Sequence, residues 1–337
     1  MNINRHFLAL AALSISLLLG GCSGHMIRDM AASGMVGFSN DYVTPWFLAS
    51  EDTDVMCGMG EGLAAMTYPM GPNVDSLIPM FSLAAGMCAD ERSKEEELRY
   101  IRAMRRNDIE TAQDARTMQK RWLAVAAKRQ YFGYQAGVRA WGEPGGECPE
   151  LSDWNDNMSY MVGLLLGVQA FQADFNLGAG VVPGDIVAKV MSGMTCLDSD
   201  EFWGLPAAVL SMTEIMLAGA GGDKVALEVG YTKLARAAAV GERSGVRMVH
   251  ALQVTLYAMQ GNEERAKQVI RDHMQSKKEV PANPDYKLMD EMSTRQIKLI
   301  SDKMWTQATG QRTPYGKLGT FWDDKRIGGG LDIDELL

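Results

Sequence analysis

Few side chains in this sequence are arranged in a way that could catalyse a reaction. His250 and His273 lie on neighbouring predicted helices and could meet in one hairpin, where two imidazoles could bind a ligand or exchange a proton. Histidines at such positions more often lie in the core or at the surface. The sequence has no GxSxG, HExxH or phosphate-binding loop motif. We therefore predict no enzymatic activity. The alternative, an enzyme without familiar motifs, would need a convergent polar pocket.

Acidic pairs are the second candidate for chemistry. Asp52 with Asp54 and Asp198 with Asp200 have the spacing of paired carboxylates, which in principle suits glycoside hydrolysis or calcium binding. Both pairs fall in predicted loops, where aspartates commonly cap helices and form turns. We predict the capping role for both.

The 24 methionines are the most unusual compositional feature. Thioethers bind copper(I), and methionine also fills irregular cores or lines adaptable apolar cavities. Because many methionines recur three or four residues apart among other apolar residues, core packing is the favoured interpretation, and no metal or cofactor is predicted. The pairs are Met56/Met59, Met66/Met70, Met158/Met161, Met191/Met194, Met212/Met216 and Met289/Met292.

The N-terminus has the pattern of an export signal. A single cation, Arg5, precedes an uncharged apolar run at 7–19, which is too short to span a bilayer comfortably. The following Leu19-Gly20-Gly21-Cys22 resembles the bacterial lipobox. The resemblance implies cleavage before Cys22, a diacylglycerol thioether on its sulfur and acylation of its new amino group. Ser23 then favours the outer membrane, facing the periplasm, by analogy with lipoprotein sorting. A plain secretory signal is the alternative.

The remaining cysteines, Cys57, Cys88, Cys148 and Cys196, form an even set, which in an exported protein indicates disulfides. Three pairings are possible. We favour Cys57–Cys88 and Cys148–Cys196 because neighbouring helices of a hairpin array lie close together. A metal site is a weak alternative, since no CxxC occurs; inert core cysteines remain a further alternative.

The net charge of −9 and the absence of a basic run argue against nucleic-acid binding and against attraction to an anionic lipid surface by charge alone. No apolar stretch after Cys22 is long enough to span a membrane. The closest, at 158–173, is predicted to be a buried core helix.

Helical periodicity runs through the chain, and strand signals are nearly absent. We predict an all-α fold of stacked helical hairpins, either a tetratricopeptide-like α-solenoid or a bundle. The segment at 141–153, rich in proline and glycine, is predicted to be a loop or a seam between subdomains. The expected organisation is a signal peptide at 1–21, an anchor or linker at 22–54, the helical domain at 55–309 and an irregular tail at 310–337.

Individual helices follow from periodicity and capping residues, with Ser93 predicted to cap a helix of its own. The predicted spans are 55–68, 75–89, 93–106, one from 107 or 108 to 131, 156–176, 184–192, 206–217, 223–240, 245–260, 263–276 and 284–309. Within the 245–276 hairpin, Tyr257, Gly261 and Ala266 match the spacing of a tetratricopeptide unit, but His250 stands where that signature has tryptophan.

From residue 41 onward the chain resembles the T component family associated with tripartite (TRAP) transporters, which are bacterial lipoproteins built of tetratricopeptide-type hairpins. The resemblance rests on Cys22, SGMVGFSND at 33–41, FWGLPAAV at 202–209 and the long stretch at 231–270. It implies a role beside a periplasmic solute-binding protein in solute uptake, as an oligomer with an apolar cavity. The cysteines and the LDIDELL end at 331–337 depart from the family pattern.

Together these features predict a lipid-anchored binding protein whose concave surface engages a partner protein or an apolar ligand. We predict that Trp203, Tyr231, His250 and Tyr257 line that surface. Trp305 and Trp322 could line a groove as well, although packing is the commoner role of tryptophan in a helical array. The alternative function is a scaffold in cell-envelope assembly that has no small-molecule cavity.

Overall fold

The computed structural model describes residues 24–324, and within that range every regular element is helical, which confirms the predicted all-α class. Cys22 and the LDIDELL end lie outside the described residues. The described part begins with a helix at 24–38 (α1), which continues through a π-turn at Ser39–Val43. The other helices are α2 Thr44–Ala49, α3 Thr53–Thr67, α4 Ile78–Arg105, α5 Ile109–Trp141, α6 Trp154–Leu177, α7 Ile186–Met194, α8 Leu205–Gly221, α9 Lys224–Ser244, α10 Met248–Met259, α11 Glu263–Glu279 and α12 Lys287–Thr309.

Side-chain caps fix several of these helix starts. Asp108, Asp153, Asp223 and Asn262 each accept a hydrogen bond from a backbone N–H in the first turn of the helix that follows. These bonds satisfy donors that have no partner inside the helix. Predicted and observed boundaries agree best where such a residue precedes an apolar-periodic run.

One predicted boundary is wrong. Ser93 was expected to cap a new helix, yet it lies in the interior of α4, which is continuous over 28 residues. The Ser93 hydroxyl is buried and donates to the carbonyl oxygen of Asp90 at 2.6 Å. A serine can bond back to its own helix in this way, so its presence does not require a helix start.

Helices α3 to α6 pack as consecutive antiparallel neighbours, followed by the hairpins α8–α9 and α10–α11. The predicted loop at 141–153 is present between α5 and α6, and these two helices pack against each other across it. Helix α12 returns to the first half and packs on α4. Ion pairs line that contact, including Lys303 with Glu97 at 2.8 Å and Arg295 with Glu91 at 2.6 Å.

The main core cluster joins both halves of the chain. It contains residues of α4 and α6 together with Trp203, Leu205 and residues of α12. The segment at 158–167 is buried throughout, as predicted for a core helix. Six methionines of the predicted pairs are among the buried residues of this cluster, which confirms core packing for them: Met56, Met158, Met161, Met194, Met289 and Met292.

Both favoured disulfides are present. Cys57–Cys88 ties α3 to α4, and Cys148–Cys196 ties the α5–α6 loop to the turn that follows α7. The Cα atoms of the two pairs are 5.7 and 5.5 Å apart, as is usual for disulfides. Each bond therefore joins two different elements of the fold.

The two ends of the described chain are more ordered than the sequence indicated. Residues 24–49, which fall in the predicted anchor or linker, are helical. The described part of the tail consists of turns, but Phe321 is buried against the α10–α12 cluster. None of the helices in the described range combines the length and apolar character needed to cross a bilayer.

Candidate functional site

The predicted binding surface needs correction. Trp203, His250 and Tyr257 are buried, and Tyr231 alone of the four is partly exposed. Trp203 has a left-handed backbone (φ 56°), and its ring packs 4.9 Å from that of Tyr286 in the main core. The reason for the error is physical: an aromatic residue in a helical array has the same sequence signature whether it fills the core or lines a groove.

Tyr231 lies at the edge of a small aromatic cluster that holds α9 against the α10–α11 hairpin. Its ring is 5.8 Å from that of Tyr257, and the Arg265 guanidinium sits 4.4 Å above it. The Tyr231 hydroxyl donates to Oε1 of Gln260 at 3.0 Å. Burial raises the pKa of Tyr257 above its usual value. The cluster joins three helices and leaves one face of Tyr231 accessible.

The two histidines do meet. Nδ1 of His250 lies 3.3 Å from Nδ1 of His273, Nε2 of His250 lies 2.8 Å from Oε1 of Glu242, and Nε2 of His273 lies 3.0 Å from the hydroxyl of Thr294. Lys277 donates to the same hydroxyl at 2.9 Å. A hydrogen-bond chain therefore runs from a cation on α11 to a carboxylate on α9, through two buried rings.

One tautomer assignment keeps both rings neutral. The hydrogen bond with His250 lowers the pKa of Glu242, so its carboxylate is ionised and accepts from Nε2–H of His250. Nδ1 of His250 must then accept from Nδ1–H of His273, whose Nε2 accepts from the Thr294 hydroxyl. Burial, followed by the charges of the surrounding cations, lowers the pKa of His273 to about 2. Since both rings are buried, this chain links helices and does not face a substrate.

A buried ion pair lies beside the histidines. The guanidinium of Arg247 contacts both carboxylate oxygens of Asp290 at 2.9 and 3.0 Å, and both side chains are fully buried. Arg247 also donates to the hydroxyl and the carbonyl oxygen of Ser276 at 2.8 and 3.0 Å. Ser293 donates to the carbonyl oxygen of Arg247 at 2.6 Å. The start of α10 is thereby tied to both α11 and α12.

The acidic pairs act as caps and turn formers, as predicted. Oδ1 of Asp52 accepts from the backbone N–H groups of Asp54 and Val55 at 3.1 and 3.0 Å. Oδ1 of Asp198 accepts from those of Asp200 and Glu201 at 2.8 and 3.1 Å. Each first aspartate is thus directed at its own backbone.

Exposed apolar side chains flank the turn between α8 and α9. Met216, Leu217, Val225 and Val229 are each about half exposed or more, and we call them the turn patch. Gly222 closes the turn in a left-handed conformation (φ 71°). The helices are held together nearby by an ion pair between Lys233 and Glu214 at 2.7 Å. Exposed apolar residues on both helices at the end of a hairpin are typical of protein-binding surfaces.

Two pockets in the described range are small or open. A partly open pocket of about 10 Å³, lined in part by Thr44, Ser76 and Met158, has room for roughly one water molecule. A wide depression of about 530 Å³ lies along α1, lined by Met26, Asp29, Met30 and Ser33. The first is too small for an organic solute, and the second is a surface groove.

Sequence reasoning missed two features. Arg247, at the start of α10, pairs with Asp290 of α12, which is 43 residues away, and no local sequence pattern predicts this ion pair. The exposed apolar residues of 24–49 do have a local signal. Their four-residue spacing can be read directly from Met26, Met30, Phe38, Tyr42 and Trp46.

A comparison with protein-family models, curated proteins and solved structures finds no match to this chain.

Proposed function

We propose that the protein is an exported, non-enzymatic binding protein that is anchored in the outer membrane by acyl chains on Cys22 and faces the periplasm.

 The observation that carries the proposal is the pairing of the other four cysteines. They are bonded to one another, and disulfides persist in oxidising compartments. The sequence has five cysteines, and Cys22 is the one that these two disulfides do not use. It is the last residue of the Leu19-Gly20-Gly21-Cys22 segment that resembles a lipobox.

The anchor is tested by mass spectrometry of the N-terminal peptide from protein purified out of bacterial membranes. We expect a peptide that starts at Cys22 and carries a diacylglycerol thioether and an N-acyl chain. The C22S variant is the matched control, and it should be recovered uncleaved and without lipid. An unmodified Cys22, or cleavage at another residue, would contradict the proposal.

For its role, we propose an accessory component of solute uptake, of the T type, that binds a periplasmic solute-binding protein and acts as an oligomer. The turn patch supports a protein partner, because it presents four apolar side chains on a hairpin that is braced by the Lys233–Glu214 ion pair. Tyr231 and Arg265 lie farther along the same edge, where an aromatic ring and a guanidinium are partly exposed. Aromatic residues and arginine are enriched at such interfaces.

The partner is identified by crosslinking in living cells, followed by purification of the lipoprotein and mass spectrometry. We expect a solute-binding protein among the crosslinked products. The L217D/V225D variant should lose that crosslink, because two charges are placed on the apolar contact. V181D is the control, since Val181 is also exposed but lies outside the turn patch. Equal crosslinking by all three proteins would exclude the turn patch.

One observation supports the alternative function, a scaffold in envelope assembly: the pocket beside Met158 has room for only about one water molecule. A scaffold needs a surface and no solute cavity. The same crosslinking experiment separates the two functions, because a scaffold would be recovered with envelope-assembly proteins and without a solute-binding protein.

A further inference from the structure

The outward side of residues 24–49 is apolar, although it faces solvent. Phe38, Tyr42 and Trp46 are 60%, 66% and 56% exposed, and Ile27 and Met30 are exposed to a similar degree. We call these five residues the outer face. A surface helix normally presents polar and charged side chains on this side.

The opposite side of the same segment is already packed. Ala32, Phe47 and Leu48 are buried, and they contribute to two of the core clusters. The segment is therefore apolar on both sides, and packing within the described residues buries only one of these sides. A row of exposed apolar side chains of this kind is typical of a surface that makes an external contact.

The π-turn keeps the aromatic part of this face in line. In an uninterrupted α-helix, side chains four residues apart drift by about 40° around the axis at each step. The wider turn at Ser39–Val43 counteracts that drift between Phe38 and Trp46. The rings of Phe38 and Tyr42 accordingly stack with their centroids 5.5 Å apart.

The outer face begins close to the proposed anchor. Met30, on this face, is eight residues from Cys22. The first helical residue described, Gly24, is only two residues after Cys22. A chain of two residues reaches at most about 7 Å, so acyl chains on Cys22 would bring the start of α1 to the bilayer surface.

The charges of the segment are slightly negative in sum and do not favour an anionic surface. Arg28 is paired with Asp29, donating from Nε and Nη2 to Oδ1 at 3.0 and 2.8 Å, and Asp41 adds a further negative charge. Attraction to a membrane would therefore come from the apolar and aromatic side chains. Tryptophan and tyrosine are the residues that favour the interface between lipid headgroups and acyl chains.

We infer that the outer face lies in the interfacial layer of the bilayer to which Cys22 is anchored, with the helix along the membrane plane. The inference rests on the proposed lipid anchor. Beyond the anchor itself, it gives the helical domain a fixed orientation at the membrane. Phe38, Tyr42 and Trp46 insert into the interfacial layer, so that α1 is the side of the molecule nearest the membrane.

The first test measures the contact of Trp46 with lipid. The full lipoprotein is reconstituted into phosphatidylethanolamine–phosphatidylglycerol vesicles whose acyl chains carry bromine, which quenches nearby tryptophan fluorescence. We expect the quenching to be lost in W46F and retained in W122F, in which a half-buried tryptophan of α5 is replaced. Mass spectrometry of the same sample reports the lipid on Cys22. A lipidated protein with equal quenching in wild type and W46F would overturn the inference and leave the anchor intact, whereas absence of the lipid would overturn the anchor itself.

The second test uses trypsin cleavage after Arg28 in the same vesicles without bromine. We expect cleavage at least tenfold faster in F38D/Y42D/W46D than in the wild type, with an unchanged thermal midpoint. The matched control is L217D/V225D/V229D on the turn patch, for which the wild-type rate is expected. Equal rates in all three proteins, or crosslinks through the outer face between two copies of the chain, would overturn the inference.

Discussion

His250 and His273 face each other through their Nδ1 atoms, 3.3 Å apart, inside the contact between α10 and α11. One ring must donate and the other must accept, so a second proton on either inner nitrogen would break the contact. Their outer nitrogens are bound to Glu242 and Thr294. The pair thus makes the packing of this hairpin sensitive to protonation, which gives the first prediction.

Stability should fall as the pH drops below about 6.5. Burial holds the pKa of His273 at about 2 in the folded protein, whereas the unfolded chain takes up that proton near its ordinary value of 6.5. Between these values the unfolded state binds more protons, so the free energy of unfolding decreases by about 1.4 kcal/mol per pH unit. His250, Lys277 and Arg247 are the charged or titratable groups that lower this pKa further. Urea unfolding between pH 7.5 and 5.0 measures the slope.

The H273Q variant provides the comparison. It should be less stable than the wild type at pH 7.5, and its stability should depend less on pH over the same range, because the buried titratable ring is gone. The range stops above the ordinary pKa of Glu242, whose carboxyl is shifted downward and contributes only at lower pH. Parallel slopes for wild type and H273Q would rule out His273 as the source.

Removing one partner of the Arg247–Asp290 pair should be strongly destabilising. An unpaired buried charge costs about 3–5 kcal/mol, so D290A should lose that much in chemical denaturation. R247M should lose less, because Lys277 remains 3.7 Å from the Asp290 carboxylate. The double variant should lose less than the sum of the two. E214A is the control, because Glu214 pairs with Lys233 at the surface and its removal should cost at most about 1 kcal/mol. Additive losses would show that the two side chains do not act as a pair.

How well the sequence predicts these features depends on how far apart along the chain the contacting residues lie. Local signals were sufficient for the start of α5, where Asp108 caps the helix, and for the pairing of the cysteines, where each bond joins elements that are near each other along the chain. The same local signals misplaced Ser93, because a hydroxyl can bond to its own helix as readily as it can cap a new one. The prediction was therefore good for helices and poorer for their ends.

The candidate site depends on long-range contacts, and there the sequence was less informative. The sequence correctly predicted that His250 and His273 could meet, since they lie in one hairpin. It wrongly predicted that His250 and Trp203 line a surface. Burial of those residues is decided by α12 and by Tyr286, which are distant in sequence. The exposure of Trp46 likewise follows from which side of α2 meets the core.

Loss of either disulfide should destabilise the fold by a similar amount. The bonds close loops with sequence separations of 31 and 48 residues, which in the chain-entropy model corresponds to about 4 kcal/mol each. C57S/C88S and C148S/C196S should therefore both shift the urea midpoint to lower concentration. Reducing agent added to the wild type should lower stability by more than either variant does. A variant as stable as the wild type would show that its bond contributes nothing to the folded state.

Gly204 should not tolerate a side chain. It begins α8 with φ at 81°, and a Cβ atom at this position would lie 2.1 Å from the carbonyl oxygen of Ala237 on α9. G204A therefore combines backbone strain with a clash against backbone atoms, and we expect a loss of about 3–5 kcal/mol or failure to fold. Gly219, in the last turns of the same helix, is the matched control because a Cβ there meets nothing within 4 Å. G219A should be neutral or more stable by up to about 1 kcal/mol, since alanine favours the helix over glycine. Thermal and urea unfolding of the two variants measure the difference, and equal stability would contradict the close approach of α8 and α9 at Gly204.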